Sequence, residues 1–409
     1  MGRKVPAVIS QKTKPSANAL ALLFAFTYMI SYMTRINFGT IVSEMERETG
    51  IAKDLLSMSL TGSFITYGTG QIISGICGDR FSPKKLVSMG LLVTICMNLL
   101  IPLCKSPYQM LGVWCVNGFA QAFMWPPILR LMVALLSQDE YAKAAVKVSW
   151  GSSAGTMAMY LIAPLLISLF GWRSVFLFSA AFGLLGLVIW NRLAWEPAQM
   201  DAPSAPKSKP SAKGLFTPMM IGIMLAIVMQ GMLRDGVTTW MPSYIAETFH
   251  LSSIISILTG VVLPIFSILC AQGAAVVYRK KIKNPMLCAG VIFGTGALAA
   301  LVLYLLSDRN AAVSAILAAV LTGAMHGVNF MLVSILPPFF KKYGNVSTAS
   351  GVLNSCTYIG SATSTYGIAV LSQNIGWGDT IGIWFLVALT GTALCLISVK
   401  PWLRTHPTE

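Results

Sequence analysis

The sequence predicts an all-α membrane protein whose helices form two six-helix bundles related by a pseudo-two-fold axis. Three observations carry this prediction. Of 409 residues, 55% are apolar and only 11% are charged, and the mean hydropathy is +0.71; an average soluble domain is about 25% charged. Apolar runs of the roughly 20 residues that a helix needs to cross a bilayer recur along the whole chain. A single stretch near the middle, residues 195–215, is rich in Pro, Ser, Ala and Lys and poor in large apolar residues, which divides the runs six and six.

The first half holds spans at about 17–40, 54–77, 85–104, 107–133, 142–169 and 173–193. The second holds spans at about 216–241, 252–276, 284–306, 310–337, 345–373 and 378–399. The expected organisation is a first bundle over 1–194, a cytoplasmic linker over 195–215 and a second bundle over 216–409.

The first run follows Arg3, Lys4, Lys12 and Lys14, as a secretory signal would. It is too long for one, contains Arg35 and lacks a small-residue cleavage site, so it reads as the first helix. The second span carries Gly68, Gly70 and Gly75, and the seventh Gly222, Gly231 and Gly236; such glycines mainly let membrane helices approach closely. Pro126-Pro127 in the fourth span and Pro337-Pro338 in the tenth interrupt or end those helices, because proline has no N–H to donate. The fifth span bears a hydroxyl stripe of Ser149, Ser152, Ser153, Thr156 and Tyr160, and the eleventh bears Asn354, Tyr358, Ser361 and Thr365 at helical spacing. Weak internal repeats support the two-fold plan. Gly171-Trp172 recurs as Gly376-Trp377, and Asn117-Gly118 corresponds at the same offset to Thr322-Gly323.

The chain carries 29 Lys and Arg against 14 Asp and Glu, a formal net charge of +15. With both termini inside, the outer loops hold only Arg47, Lys53, Lys105, Arg173 and Arg309, and nearly all the other cations lie on inner segments. The net charge therefore reads as a basic inner face beside anionic lipid headgroups rather than as a nucleic-acid surface. The eight cysteines are scattered through apolar spans without metal-ligand or disulfide spacing, so neither a cofactor nor a metal is expected. No nucleophile–base set or phosphate loop is visible, which argues against an enzyme.

Two cations break the apolar pattern. Arg35 lies in the first span and Arg234 in the seventh, one in each half. A cation at the bilayer centre costs about 2.5–3.5 kcal/mol on insertion scales, so a retained pair points to an anionic ligand. Spacings of four and three put Tyr28, Tyr32 and Arg35 on one helical face, and Gln230, Arg234 and Thr238 on another. Guanidinium groups present a planar fork of donors suited to phosphate or carboxylate oxygens, and tyrosine hydroxyls add to it.

The loop between the second and third spans reads GxxxDRxxxKK, with Gly75, Asp79, Arg80, Lys84 and Lys85. This string resembles the loop signature of the major facilitator superfamily, and Arg279, Lys280 and Lys281 are its degenerate counterpart in the second half. Asp79, Arg80, Lys84 and Lys85 are expected to form a charge network that holds one conformation and releases in the other. Together with Tyr28–Phe38, Asn117-Gly118, Trp125-Pro126-Pro127, Arg130 and Arg234–Tyr244, the chain as a whole resembles the organophosphate:phosphate antiporter family, which includes glycerol-3-phosphate and hexose-phosphate transporters.

That resemblance implies a major facilitator fold of 12 transmembrane helices, with Arg35 and Arg234 matching the family's phosphate-binding pair and Tyr28, Tyr32 and Tyr358 its pore-lining hydroxyls. Two positions depart from the glycerol-3-phosphate branch. Ser152 stands where that branch has a histidine, and Gln71, after Tyr67-Gly68-Thr69-Gly70, where it has a lysine.

The expected activity is secondary transport of a small organic anion by rocking of the bundles, a phosphorylated metabolite exchanged for inorganic phosphate, with Gln71, Ser152 and Asn354 also lining the site. The expected carrier is a monomer in the cell membrane. The alternatives are proton-coupled symport of an organic carboxylate, for which Asp235 and His326 are the candidate proton carriers, and a transporter-like metabolite sensor. His326 shares a face with Asn329 and Phe330, a position equally suited to an interhelical hydrogen bond. Asp235 directly follows Arg234; neighbours on a helix point about 100° apart, so the two need not pair, and a structural role for Asp235 is slightly favoured.

Overall fold

The computed structural model describes residues 15–51, 53–197, 216–251, 262–343 and 346–405. The expected linker lies outside them from residue 198, as do the first ten residues of the eighth span. The described residues are nearly all helical. Its first half contains α1 (Ala17–Thr40), a short α2 (Val42–Thr49), α3 (Lys53–Arg80), α4 (Pro83–Leu100), α5 (Pro107–Gln121), α6 (Trp125–Leu135), α7 (Gln138–Phe170) and α8 (Arg173–Leu193). The second half contains α9 (Pro218–Phe249), α10 (Val262–Lys280), α11 (Pro285–Leu305), α12 (Ala311–Asn329), α13 (Val346–Ile397) and α14 (Val399–Thr405).

Within the first half α1 packs on α7 and α8, α3 on α5, and α4 on α5 and α8; within the second, α9 packs on α12 and α13, α10 on α12, and α11 on α12 and α13. The halves meet where α3 packs against α13 and α7 against α10.

Among the described residues, ten helices are long and apolar enough to cross a membrane. The second span, now α3, and the first part of α13 fall short of that apolarity. The reason is their place at the seam. Ser59, Ser63, Gln71 and Ser74 of α3 are buried, as are Ser347, Ser350, Asn354 and Ser361 of α13, so their polarity faces protein rather than lipid.

The repeated Gly-Trp strings have a conformational cause. Gly171 ends α7 at φ 76° and ψ 170°, and Gly376 divides α13 at φ 78° and ψ 172°. A positive φ is cheap only for glycine, so the same residue stops the helix at the same point in each half.

The proline pairs act differently. Pro126 and Pro127 do not sit inside one continuous helix: the chain turns at 122–124 and they open α6. In the second half α12 passes into a π-helical stretch, Phe330–Ile335, and then a 3-10 segment, Pro337–Tyr343.

Candidate functional site

Arg35 of α1 is nearly buried, and aromatic rings hold it. Its guanidinium carbon lies 4.3 Å from the Tyr32 ring centroid and 4.6 Å from that of Tyr67 on α3. Its Nη1 donates to the Tyr358 hydroxyl of α13, 3.3 Å away. Tyr28 meets Tyr32 edge-on at 5.2 Å between centroids and lies 5.3 Å from Trp125. The ring faces supply the negative electrostatic surface that a desolvated cation needs. Among the described residues no carboxylate pairs with Arg35.

Arg234 of α9 is held the other way. Nε donates to Asp235 Oδ1 at 2.6 Å and Nη2 to Oδ2 at 2.7 Å, a bidentate fork. Nη1 donates to Asn329 Oδ1 at 3.3 Å, and Ser361 Oγ of α13 donates to the second oxygen of Asp235. The sequence left open whether these neighbours pair; the structure pairs them. Both side chains bend toward α13, and the fork closes because desolvation strongly favours pairing two opposite charges. The Arg234 guanidinium carbon lies 5.8 Å from the Tyr358 ring centroid. One tyrosine thus stands between the arginines of the two halves.

Beside this pair the seam is closed by neutral groups. Asn354 Nδ2 donates to Gln71 Oε1 at 3.0 Å, linking α13 to α3. Gln71 Nε2 in turn donates to the Ala122 carbonyl at 3.2 Å. Ala122 caps the end of α5, where the chain turns before α6, so its carbonyl has no partner within a helix. In the second half Ser334 lies in the π-helical stretch, and Tyr141 of α7 donates its hydroxyl to the Ser334 carbonyl from the opposite half.

At the end of the molecule that carries the basic loops, Asp79 accepts the backbone N–H groups of Ser347 at 2.9 Å and Thr348 at 2.7 Å. These lie in the first turn of α13, where helical N–H groups lack partners and the helix dipole favours an anion. Arg130 of α6 donates to the carbonyls of Gly78 and Phe81, beside this carboxylate. Close approach is possible because Gly351 faces α3: a Cβ there would fall 2.2 Å from the Gln71 carbonyl oxygen.

Several predicted residues are not part of this convergence. Ser152 donates to the Ser149 carbonyl of its own helix at 2.7 Å. Arg80 and Lys85 are exposed, and Lys84 Nζ donates to the Ala194 carbonyl at 2.7 Å. The cation beside Asp79 is Arg130 rather than Arg80, Lys84 or Lys85, because Arg130 projects from the neighbouring α6. His326 is half-buried and within electrostatic reach of both Arg234 and Asp235. Tyr67, Asn329, Ser361 and Arg130 were not chosen as site residues from the sequence. Tyr67 and Ser361 could have been found, since each lies one turn from a chosen residue, Gln71 and Tyr358 respectively.

Comparison with known proteins agrees with this architecture. A probable hexose phosphate transport protein of Chlamydia muridarum is 23% identical over 408 residues, 90% of this chain and 87% of that one. The membrane sensor protein UhpC of Salmonella typhimurium is 25% identical over 177 residues, 43% of this chain and 40% of that one. The solved structure of the proton:xylose symporter XylE with a bound bromodeoxyglucose shares the fold, with a TM-score of 0.75 at 12% identity over 96% of each chain. The model of the Major Facilitator Superfamily matches residues 24–365. With most of its length covered by that match, the chain belongs to the Major Facilitator Superfamily and is a multi-pass membrane transporter rather than an enzyme.

Proposed function

We propose that this protein is a secondary carrier of a small phosphorylated metabolite, exchanged for inorganic phosphate. The observation that carries the reading is the convergence of Arg35 and Arg234, from opposite halves, on Tyr358. An oxyanion seated there would take donors from both guanidinium groups and from the Tyr28, Tyr32, Tyr67 and Tyr358 hydroxyls. The similarity to a hexose phosphate transport protein over nearly the whole chain favours a phosphate head group.

Transport follows from the seam. The bundles, 1–194 and 216–409 joined by the linker 195–215, rock about the anion. The contacts that close the basic end (Asp79 on the α13 N-terminus, Gln71 with Asn354, Tyr141 with Ser334) separate in the other half of the cycle. By the distribution of Lys and Arg, that end faces the cytoplasm, as do both termini, in the cell membrane. An anion bridging the two arginines draws the halves together, so a loaded carrier reorients readily and an empty one poorly.

The test is counterflow in reconstituted vesicles. Labelled phosphate should enter only vesicles preloaded with phosphate or a phosphorylated metabolite, and a protonophore should leave the rate unchanged. Uptake driven by a pH gradient without internal phosphate would favour carboxylate symport through Asp235 or His326. The stretch similar to a membrane sensor supplies a second reading. Specific ligand binding with no counterflow at all would favour that sensor.

A further inference from the structure

The Arg234–Asp235 fork changes the charge that an incoming anion meets. A guanidinium has five N–H donors, and in Arg234 Asp235 takes two and Asn329 one. Two remain, from Nη1 and Nη2, enough to meet one pair of oxygens. Arg35 has one hydrogen bond, to an uncharged tyrosine, and keeps its full charge. At a pH where an ordinary imidazole is neutral, which covers His326, the charged side chains at the convergence are Arg35, Arg234 and Asp235, and their sum is one positive charge. Ser361 on α13 fixes the carboxylate from its far side, so the fork is built into the helix packing.

We propose that Asp235 sets the cargo's charge: the site takes a singly charged tetrahedral oxyanion head group, the monobasic form of a phosphate or a phosphodiester, in preference to a dianion. This rests on the two-arginine reading above and adds the selectivity of that site. A dianion would leave one negative charge uncompensated among side chains that are largely buried, whereas a monoanion neutralises the site. Both arginines still donate hydrogen bonds, so Arg234 contributes geometry and Arg35 contributes charge.

The experiment uses two permanently charged probes of similar shape, sulfate as dianion and methanesulfonate as monoanion, at pH 8 and matched ionic strength. Thermal stabilisation of the purified full chain reports their relative affinity. Wild type should favour methanesulfonate, and Asp235→Asn should shift the ratio toward sulfate on the order of tenfold or more, because one unit charge is removed a few ångströms from the ligand. Asp235→Glu should keep the wild-type order. The double variant Arg234→Gln/Asp235→Asn avoids leaving a buried charge unpaired and keeps the net charge at one, so it should still favour the monoanion, with weaker binding. An unchanged ratio in Asp235→Asn, or a double variant that prefers sulfate, overturns the role of Asp235 and leaves the carrier reading standing. Wild type stabilised by neither probe nor by inorganic phosphate overturns the two-arginine site itself, and this inference with it.

Discussion

The two halves of this transporter each bring one arginine to the seam, and they hold it by opposite means. Arg35 in the first half lies between the rings of Tyr32 and Tyr67 and against the hydroxyl of Tyr358, all uncharged. Arg234 in the second is forked onto its own neighbour, Asp235, and braced by Asn329. Cation–π contacts stabilise a desolvated guanidinium while leaving most of its donors for a ligand. An ion pair stabilises it more completely and cancels its charge. Two halves of one fold thus hold their arginines differently, and in the proposal above the Arg35 arm attracts the anion while the Arg234 arm orients it.

The largest effect that could break this comparison comes from splitting the fork. Arg234→Gln leaves Asp235 buried without its cation, which should lower stability by about 3 kcal/mol, the low end for a buried pair since a quarter of the Asp235 side chain is exposed. Adding Asp235→Asn should restore much of the loss, a non-additivity that a thermal unfolding series reads directly. Arg35→Gln removes no partner's charge, so it should unfold little yet slow phosphate exchange by roughly 10- to 150-fold, the value of charge-assisted hydrogen bonds.

Next comes Asp79→Asn. It deletes the charge on the α13 N-terminus and should shift the balance away from closure at the basic end by about 1 kcal/mol. Distances between spin labels on the two basic ends would show the wider population growing several-fold. Tyr358→Phe keeps the ring between the arginines but loses the bond to Arg35, and should raise the KM for exchange by a few-fold, about 1 kcal/mol. Smallest is Ser152→Ala: its hydroxyl bonds only its own helix, so exchange should change by less than about twofold.

The two arginines were visible in the sequence because a charge in an apolar span stands out against its neighbours. Tyr28, Tyr32 and Arg35 were likewise visible through helical spacing. The Gly-Trp strings were legible as a repeat, but that their glycines take a positive φ where α7 ends and α13 divides came only from the structure. Contacts across the seam were hidden. Gln71 was legible as a replaced lysine, but nothing local says that its amide meets Asn354 on one side and the Ala122 carbonyl at the end of α5 on the other. The sequence left the Arg234–Asp235 fork open because helical angles describe where Cβ atoms point, and the long Arg234 side chain can reach round to its neighbour's carboxylate. α3 and the start of α13 were legible as the spans 54–77 and 345–373 despite their low apolarity, which comes from the polar residues they bury at the seam.

The central claim, that one anion is shared by the two arginines, is tested most directly by labelled-phosphate exchange in vesicles preloaded with phosphate. Wild type, Arg35→Gln and the stabilised double variant Arg234→Gln/Asp235→Asn are compared at equal amounts of folded protein. The account predicts rapid exchange in the wild type and at least a tenfold loss in each variant, deeper for Arg35→Gln. Exchange at the wild-type rate in either variant would contradict it.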